Sequence, residues 1–212
     1  MRKARVLLAD DHDMLVQAFE KMLQPDFEVV GTVGDGHALL DAARELKPDV
    51  IVLDIGMPKL NGMIAAERLK KMMPETKLIF LTVNEDASFA SEAMRIGASG
   101  YLLKSSAASE LFRAIEVALK GRTYVTPLIM EGMVTSLAAS HKPNEASDKL
   151  TTRQREVLQL LAEGRSMKEA AKILDVSPRT IAFHKYRIME ELGLKTTADL
   201  VQFAIKNDII SL

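Results

Sequence analysis

Three carboxylates, a hydroxyl and an ammonium close successive apolar runs of this sequence: Asp10 and Asp11, then Asp54, Thr82 and Lys104. The run Val50 to Leu53 is apolar to its last residue and ends on Asp54, after which Gly56 and Pro58 break it into a loop. Such a strand is covered on both faces, and its terminal acid stands at the carboxyl edge of the sheet, where open α/β sheets carry their chemistry. Three carboxylates packed together repel, so either one is protonated or a cation is bound. An all-oxygen set with few ligands suits Mg²⁺ better than a transition metal. With its charge balanced, Asp54 can attack a phosphoryl group in line, while Lys104, Thr82 and the metal share the charge on the equatorial oxygens. Singly, these features are ordinary: an Asp-Asp pair caps helices, a lysine is surface, a threonine fills strands. The combination and its order along the chain carry the assignment.

The elements that must position these groups follow from periodicity. Short apolar runs predict strands over 5–9, 27–33, 50–54, 77–82 and 99–103. Between them, helical spacing such as Leu15, Ala18, Phe19 and Met22 predicts helices from His12 to Pro25, over 38–46, 61–73, 86–95 and 107–120. Five strands alternating with five helices imply right-handed crossovers and a doubly wound parallel sheet, an α/β domain over about 1–121. Gly31, Gly34 and Gly36 run in the wrong order for a dinucleotide fingerprint and are read as turn glycines. No Gly-Lys-Ser/Thr phosphate loop occurs.

Beyond residue 121 the strand pattern does not return. Residues 122–149 are expected to be a linker, helical over 127–139 and flexible over 141–149, where Ala146 is the sole apolar residue. Residues 150–212 read as all-α, with helices over 152–163, 167–174, 178–192 and 197–206. Ser177 is an N-cap and Pro178 occupies the first helical position behind the tight turn Asp175-Val176-Ser177. At 100° per residue, Ile181, Ile188 and Leu192 share one side of that helix with His184. Arg179, Ala182, Phe183, Tyr186 and Arg187 point away, and Lys185 sits on the boundary. A short helix, a turn and a longer polar-faced helix suggest a helix-turn-helix.

Composition narrows the classes further. The chain has 212 residues, 27% charged and 48% hydrophobic, which is ordinary for one large or two small globular domains. No apolar run approaches the roughly 18 residues of a spanning helix. Four apolar residues between Arg5 and Asp10 are too few for a signal-peptide core, so a cytoplasmic protein with no membrane partner is expected. The absence of cysteine excludes disulfides and thiolate metal sites. Residues 1–140 hold 16 basic and 19 acidic side chains, against 10 and 8 in residues 150–212. Two domains with different partners would show such an asymmetry.

Residues 4–120 resemble the receiver domain of bacterial two-component response regulators. The matching pieces are Asp10-Asp11, Asp54 with Met57-Pro58 and Asn61-Gly62, Thr82, Gly97-Ala98 with Gly100-Tyr101, and Lys104. The whole chain is similar to the NarL/FixJ type, whose output is a LuxR-type helix-turn-helix. Here Leu150-Thr151, Arg153, Glu156-Val157-Leu158, Gly164, Glu169-Ala170-Ala171, Leu174, Val176-Ser177, Thr180-Ile181 and His184 carry the likeness.

The resemblance implies a flavodoxin-like sheet of order 2-1-3-4-5 and phosphorylation of Asp54 by a cognate histidine kinase. It also implies Mg²⁺ held by the acidic pair, chiefly Asp11, with Asp54 and the Gly56 carbonyl. Thr82 and Tyr101 would shift as the switch, and a homodimer formed largely through the last helix would bind double-stranded DNA and engage RNA polymerase. Groove-facing positions would be Ala182, Phe183 and Tyr186, with Arg179, Thr180, Lys185 and Arg187 on phosphates. Val83 stands where many receivers carry a small residue, Ser105 where proline is frequent, and Ala182, Glu190 and Glu191 where lysine is common. Such a protein is not an enzyme, apart from catalysing its own phosphoryl transfer and dephosphorylation. A phosphorylation-independent adaptor with a vestigial site is the alternative. An aspartyl-phosphate hydrolase is a third, but Asp54 is followed by Ile55-Gly56 rather than the Asp-x-Asp that it needs.

Overall fold

The computed structural model describes residues 2–138, 150–207, 209 and 210. The strands β1 (Arg5–Ala9), β2 (Glu28–Val33), β3 (Val50–Asp54), β4 (Lys77–Thr82) and β5 (Gly100–Leu103) alternate with helices. These are α1 (Asp13–Leu23), α2 (Gly36–Leu46), α3 (Gly62–Met72), α4 (Ala87–Ile96) and α5 (Ala107–Leu119). With a further short strand β6 (Tyr124–Val125), all pairings are parallel, in the order β2-β1-β3-β4-β5-β6.

The sixth strand corrects the five-stranded expectation. β6 is only Tyr124–Val125, paired with Gly100 and Tyr101, so the sheet continues into a stretch read as linker. Two residues are too few for any alternation to register. Helix α6 (Pro127–Ala138) follows, close to the helix expected over 127–139, and packs against α4. The flexible stretch expected over 141–149 lies outside the described residues.

Side-chain alternation divides the receiver core into two layers. Leu7, Ala9, Ile51 and Leu53 face the side of α2, α3 and α4, whereas Val6, Leu8, Val50 and Val52 face α1 and α5. All five residues of β3 are buried, as its unbroken apolar run requires.

The C-terminal helices are α7 (Thr152–Ala162), α8 (Met167–Ile173), α9 (Pro178–Leu192) and α10 (Thr197–Lys206), around a core that includes Val157, Leu158, Ile181, Ile188 and Leu200. Capping boxes open three of them: Thr151 with Gln154, Ser166 with Glu169, and Thr196 with Asp199. Ser177 caps α9 by accepting from the Thr180 N–H, with Pro178 in the first turn. Helix α7 is buried nearly all round, because one side meets its own domain and the other meets the receiver.

Candidate functional site

The sheet register brings the sequence-derived groups together. Asp54 pairs with Leu81 and Thr82 with Leu103, so the ends of β3, β4 and β5 lie side by side, with Asp10 beyond β1. Asp10, Asp54 and Thr82 are buried, while Asp11 is more open. The Lys104 ammonium lies 2.8 Å from Asp10 Oδ2 and 2.9 Å from Asp54 Oδ2. Burial pushes the Asp54 carboxyl above the usual range, Lys104 pulls it back, and Asp10 pushes it further up. Burial opposes the charge on Lys104, yet attraction to Asp54 and the bonds to both carboxylates carry its pKa above the ordinary lysine value. Thr82 Oγ1 accepts from the Asn84 N–H at 3.0 Å. Tyr101 is fully buried on β5.

His12 joins this cluster, a residue that the sequence reading had placed only at the start of a helix. Its Nδ1 lies 2.8 Å from Asp10 Oδ1, 3.0 Å from Asp11 Oδ1 and 3.4 Å from Lys104 Nζ. One ligand atom from each of Asp10, Asp11, His12 and Asp54 falls within 4.8 Å of the others. Three carboxylates in such a set offer the hard oxygen donors that Mg²⁺ takes.

The loop after Asp54 depends on two glycines. A Cβ on Gly62 would stand 2.0 Å from the Asp54 carbonyl oxygen, and one on Gly36 would stand 2.1 Å from that of Leu60. Only glycine lets the loop fold back so closely onto β3 and α2. Gly36 is thus a packing position at the start of α2 and Gly31 lies inside β2, where the sequence reading had turn glycines. Lys59 takes a left-handed backbone at φ 64°, and its Nζ reaches Asp35 at 2.6 Å. Asn61 caps α3 by accepting from the Met63 N–H.

The C-terminal domain sits against this loop. Gln159 Oε1 accepts from the Asn61 N–H at 2.6 Å, and Gln159 Nε2 donates to the Met57 carbonyl at 2.9 Å. Glu163 Oε1 accepts from the Lys59 N–H at 3.0 Å. Alongside, Arg68 of α3 pairs with the buried Glu156, which also holds Arg153, and Thr152 donates to Glu67 at 3.1 Å. Helical periodicity turns Val157, Leu158 and Leu161 toward the domain's own core but does not show that the polar side of α7 is buried as well.

Helix α9 turns its other face outward. Ile181 and Ile188 are buried and Leu192 is half-buried. Phe183 and Tyr186 are 62% and 68% exposed. Arg179 and Arg187 are exposed, and Ala182, Thr180 and Lys185 are half-buried. Arg187 reaches Glu191 at 3.5 Å and Lys185 donates to Thr197 at 3.2 Å. His184 is half-buried, with the Phe183 ring edge-on at 5.6 Å. Burial, then the nearby Arg153, holds its imidazole below the usual pKa.

Comparison with known proteins agrees with this geometry in both halves. The response regulator receiver domain family matches residues 6–116, and the bacterial regulatory proteins of the luxR family match residues 148–204. The transcriptional regulatory protein MctR of Rhizobium johnstonii is 33% identical over 211 residues, which cover 99% of this chain and 96% of its own length. The oxygen regulatory protein NreC of Staphylococcus aureus is 35% identical over 214 residues, 97% of this chain and 99% of its own. Among solved structures, the RcsB response regulator of Salmonella typhimurium matches with a TM-score of 0.66 at 28% identity, covering 96% of this chain and 97% of that one. An RcsB–DNA complex gives 0.59 at 26% identity, covering 95% and 98%. The chain therefore belongs to the bacterial response regulators that join a receiver domain to a LuxR-type DNA-binding domain, and it regulates transcription.

Proposed function

We propose that Asp54 is the phosphoacceptor of this regulator and that its phosphorylation by a histidine kinase governs dimerisation and DNA binding through α9. The observation that carries the reading is the Lys104 ammonium held between the Asp10 and Asp54 carboxylates at 2.8 and 2.9 Å. A carboxylate beside a fixed cation keeps a lone pair for attack, and the same cation faces the charge that develops on the transferred group. An Asp54 oxygen forms the new bond to phosphorus as the bond from phosphorus to the donor nitrogen or oxygen breaks. Asp10, Asp11, Asp54 and the Gly56 carbonyl would hold Mg²⁺, which when bound neutralises carboxylate and phosphoryl charge. Lys104 orients a phosphoryl oxygen, and the Thr82 hydroxyl leaves Asn84 to take another. Tyr101 then moves into the space that Thr82 vacates.

At the other end, the exposed face of α9 suits a DNA groove. Ala182, Phe183 and Tyr186 lack the fork that reads guanine but can pack on the thymine methyl group. Arg179, Thr180, Lys185 and Arg187 then hold phosphates. The site is an inverted repeat with A·T pairs at the central half-site positions. RcsB offers a precedent in both respects, with dimers on DNA and a complex with a promoter in the presence of the phosphomimetic BeF3⁻.

The test is intact mass after incubation with acetyl phosphate and Mg²⁺. The wild type gains one phosphoryl group that chelation of the metal prevents, and Asp54→Asn gains none. Labelling of Asp54→Asn at the wild-type rate would overturn the assignment and favour the adaptor reading.

A further inference from the structure

The end of β5 that carries Lys104 is gripped from both sides, and one grip comes from beyond the five expected strands. On the β4 side, the Lys104 N–H donates to the Thr82 carbonyl at 2.7 Å. On the other side β6 ends at Val125, and Thr126 continues its bonding by other means. The Thr126 N–H donates to the Tyr101 carbonyl at 3.0 Å, and its Oγ1 accepts from the Leu103 N–H at 3.3 Å. Thr126 is buried, and its hydroxyl donates to Glu110 Oε2 of α5 at 2.7 Å. Ser106 Oγ completes the group, donating to the Leu103 carbonyl at 3.3 Å and standing 3.4 Å from Thr126 Oγ1. Thr126 lies outside residues 6–116, which match the receiver family, and inside the stretch expected to be a linker.

We propose that Thr126, held by Glu110, is a positioning residue for phosphoryl transfer, fixing the strand end from which Lys104 reaches Asp10 and Asp54. The inference rests on Asp54 being the phosphoacceptor. Lysine carries its charge on a flexible four-carbon stem, so the reach of its ammonium depends on where its backbone is fixed. Ser105 follows Lys104, so no proline ring stiffens the turn. The Thr126 hydroxyl and the Glu110 carboxylate hold the strand end instead. A group that must meet a phosphoryl oxygen gains from such anchoring, because a misplacement of about 1 Å costs on the order of 10²-fold in rate. Without the hydroxyl, the Leu103 N–H and the Glu110 carboxylate lose this partner and the strand end is free to shift. The first residues after α5 are then part of the receiver's chemistry and not only a connector to the second domain.

Full-length protein with acetyl phosphate and Mg²⁺ provides the test, read as the rate of Asp54 labelling by intact mass, with urea unfolding to establish that each variant is folded. Thr126→Val keeps the shape and removes the hydroxyl. Labelling should slow about three- to tenfold, as expected from loss of one net hydrogen bond. Thr126→Ser keeps the hydroxyl and should label near the wild-type rate. Glu110 is half-buried on α5, so Glu110→Ala tests the same network without a change in the core and should slow labelling alike. Glu110→Gln, whose amide oxygen accepts from Thr126, should recover most of the rate. The effect runs through Lys104, so in the Lys104→Ala background Thr126→Val should slow labelling no further.

Wild-type labelling by folded Thr126→Val or Glu110→Ala would overturn the proposal. Equal slowing by Thr126→Val with and without Lys104 would make Thr126 a residue of general stability and overturn the positioning role. If the wild type labels elsewhere than Asp54, the phosphoacceptor assignment fails, and this inference fails with it. If the wild type labels at Asp54 and no variant is slower, the inference fails alone.

Discussion

The pocket at Asp54 and the outer face of α9, the two surfaces proposed above to meet phosphate-bearing partners, are built in opposite ways. In the pocket, Asp10 and Asp54 are buried and Lys104 is half-buried, with its ammonium 2.8 and 2.9 Å from their carboxylates. On α9, Phe183, Tyr186, Arg179 and Arg187 stand in solvent. Bond making needs an electrostatic field already oriented where charge will develop, and burial strengthens that field. A DNA duplex presents charge over a long surface, so exposed side chains that settle on contact serve it better. The difference makes the pocket fragile to single substitutions and the helix tolerant of them.

Lys104→Ala should show the largest effect. Removing the ammonium leaves two buried carboxylates facing each other, and the labelling rate with acetyl phosphate should fall about 10²-fold. DNA affinity of the unphosphorylated protein, measured by fluorescence anisotropy, should stay near wild type. A comparable fall in both would show that the two sites are not separable in this way. Gly62→Ala should come next. Its Cβ would collide with the Asp54 carbonyl, and the receiver should lose about 3 kcal/mol or more of stability, read by urea unfolding. Unaltered unfolding would mean that the loop relaxes without cost.

On α9 the expected effects are smaller. Phe183→Ala should relax base preference in a selection on random duplexes, with a cost of about 1–3 kcal/mol on the best site. Arg187→Ala should weaken all sequences alike and flatten the salt dependence by roughly one unit of slope. A recovered motif rich in G·C at the positions facing Ala182 to Tyr186, and indifferent to Phe183→Ala, would assign the reading to another surface.

The smallest effect belongs to the helix caps. Bonds from the Thr196 and Lys195 N–H groups hold the Asp199 carboxyl below its usual pKa. The Ser166 hydroxyl, then its N–H, do the same for Glu169. A depressed folded pKa means that the unfolded chain binds more protons in the acid range. The contribution is therefore full above the ordinary carboxylate values of about 4 and is lost as pH falls through the depressed ones. Asp199→Asn and Glu169→Gln should flatten that acid limb in thermal unfolding, and an unchanged limb would remove the caps from the account.

Asp10, Asp11, Asp54, Thr82 and Lys104 were legible in the sequence because each ends an apolar run, and parallel pairing converts run ends into neighbours. Tyr101 inside β5 and the outward face of α9 followed from periodicity together with the family likeness. Other features had no such signal. His12 looked like the opening of a helix, and its ring turns back onto Asp10 and Asp11. Gln159, Glu156 and Glu163 are polar and give hydropathy no sign of burial, whereas their partners are backbone and arginine of another domain. Periodicity reports which face a helix buries against its own core. It does not report a second neighbour that satisfies polar groups.

The short strand β6 also bears on how these molecules behave in a crowded solution. An open strand edge is a template on which another copy of the chain can add. Along β5 that edge is covered by Tyr124 and Val125, and Thr126 continues the cover by donating its N–H to the Tyr101 carbonyl at 3.0 Å. Pro127 follows at once and has no N–H to offer a newcomer. The chain leaves the sheet having closed one of its two sides, so self-association by strand addition is blunted there by three residues and a proline.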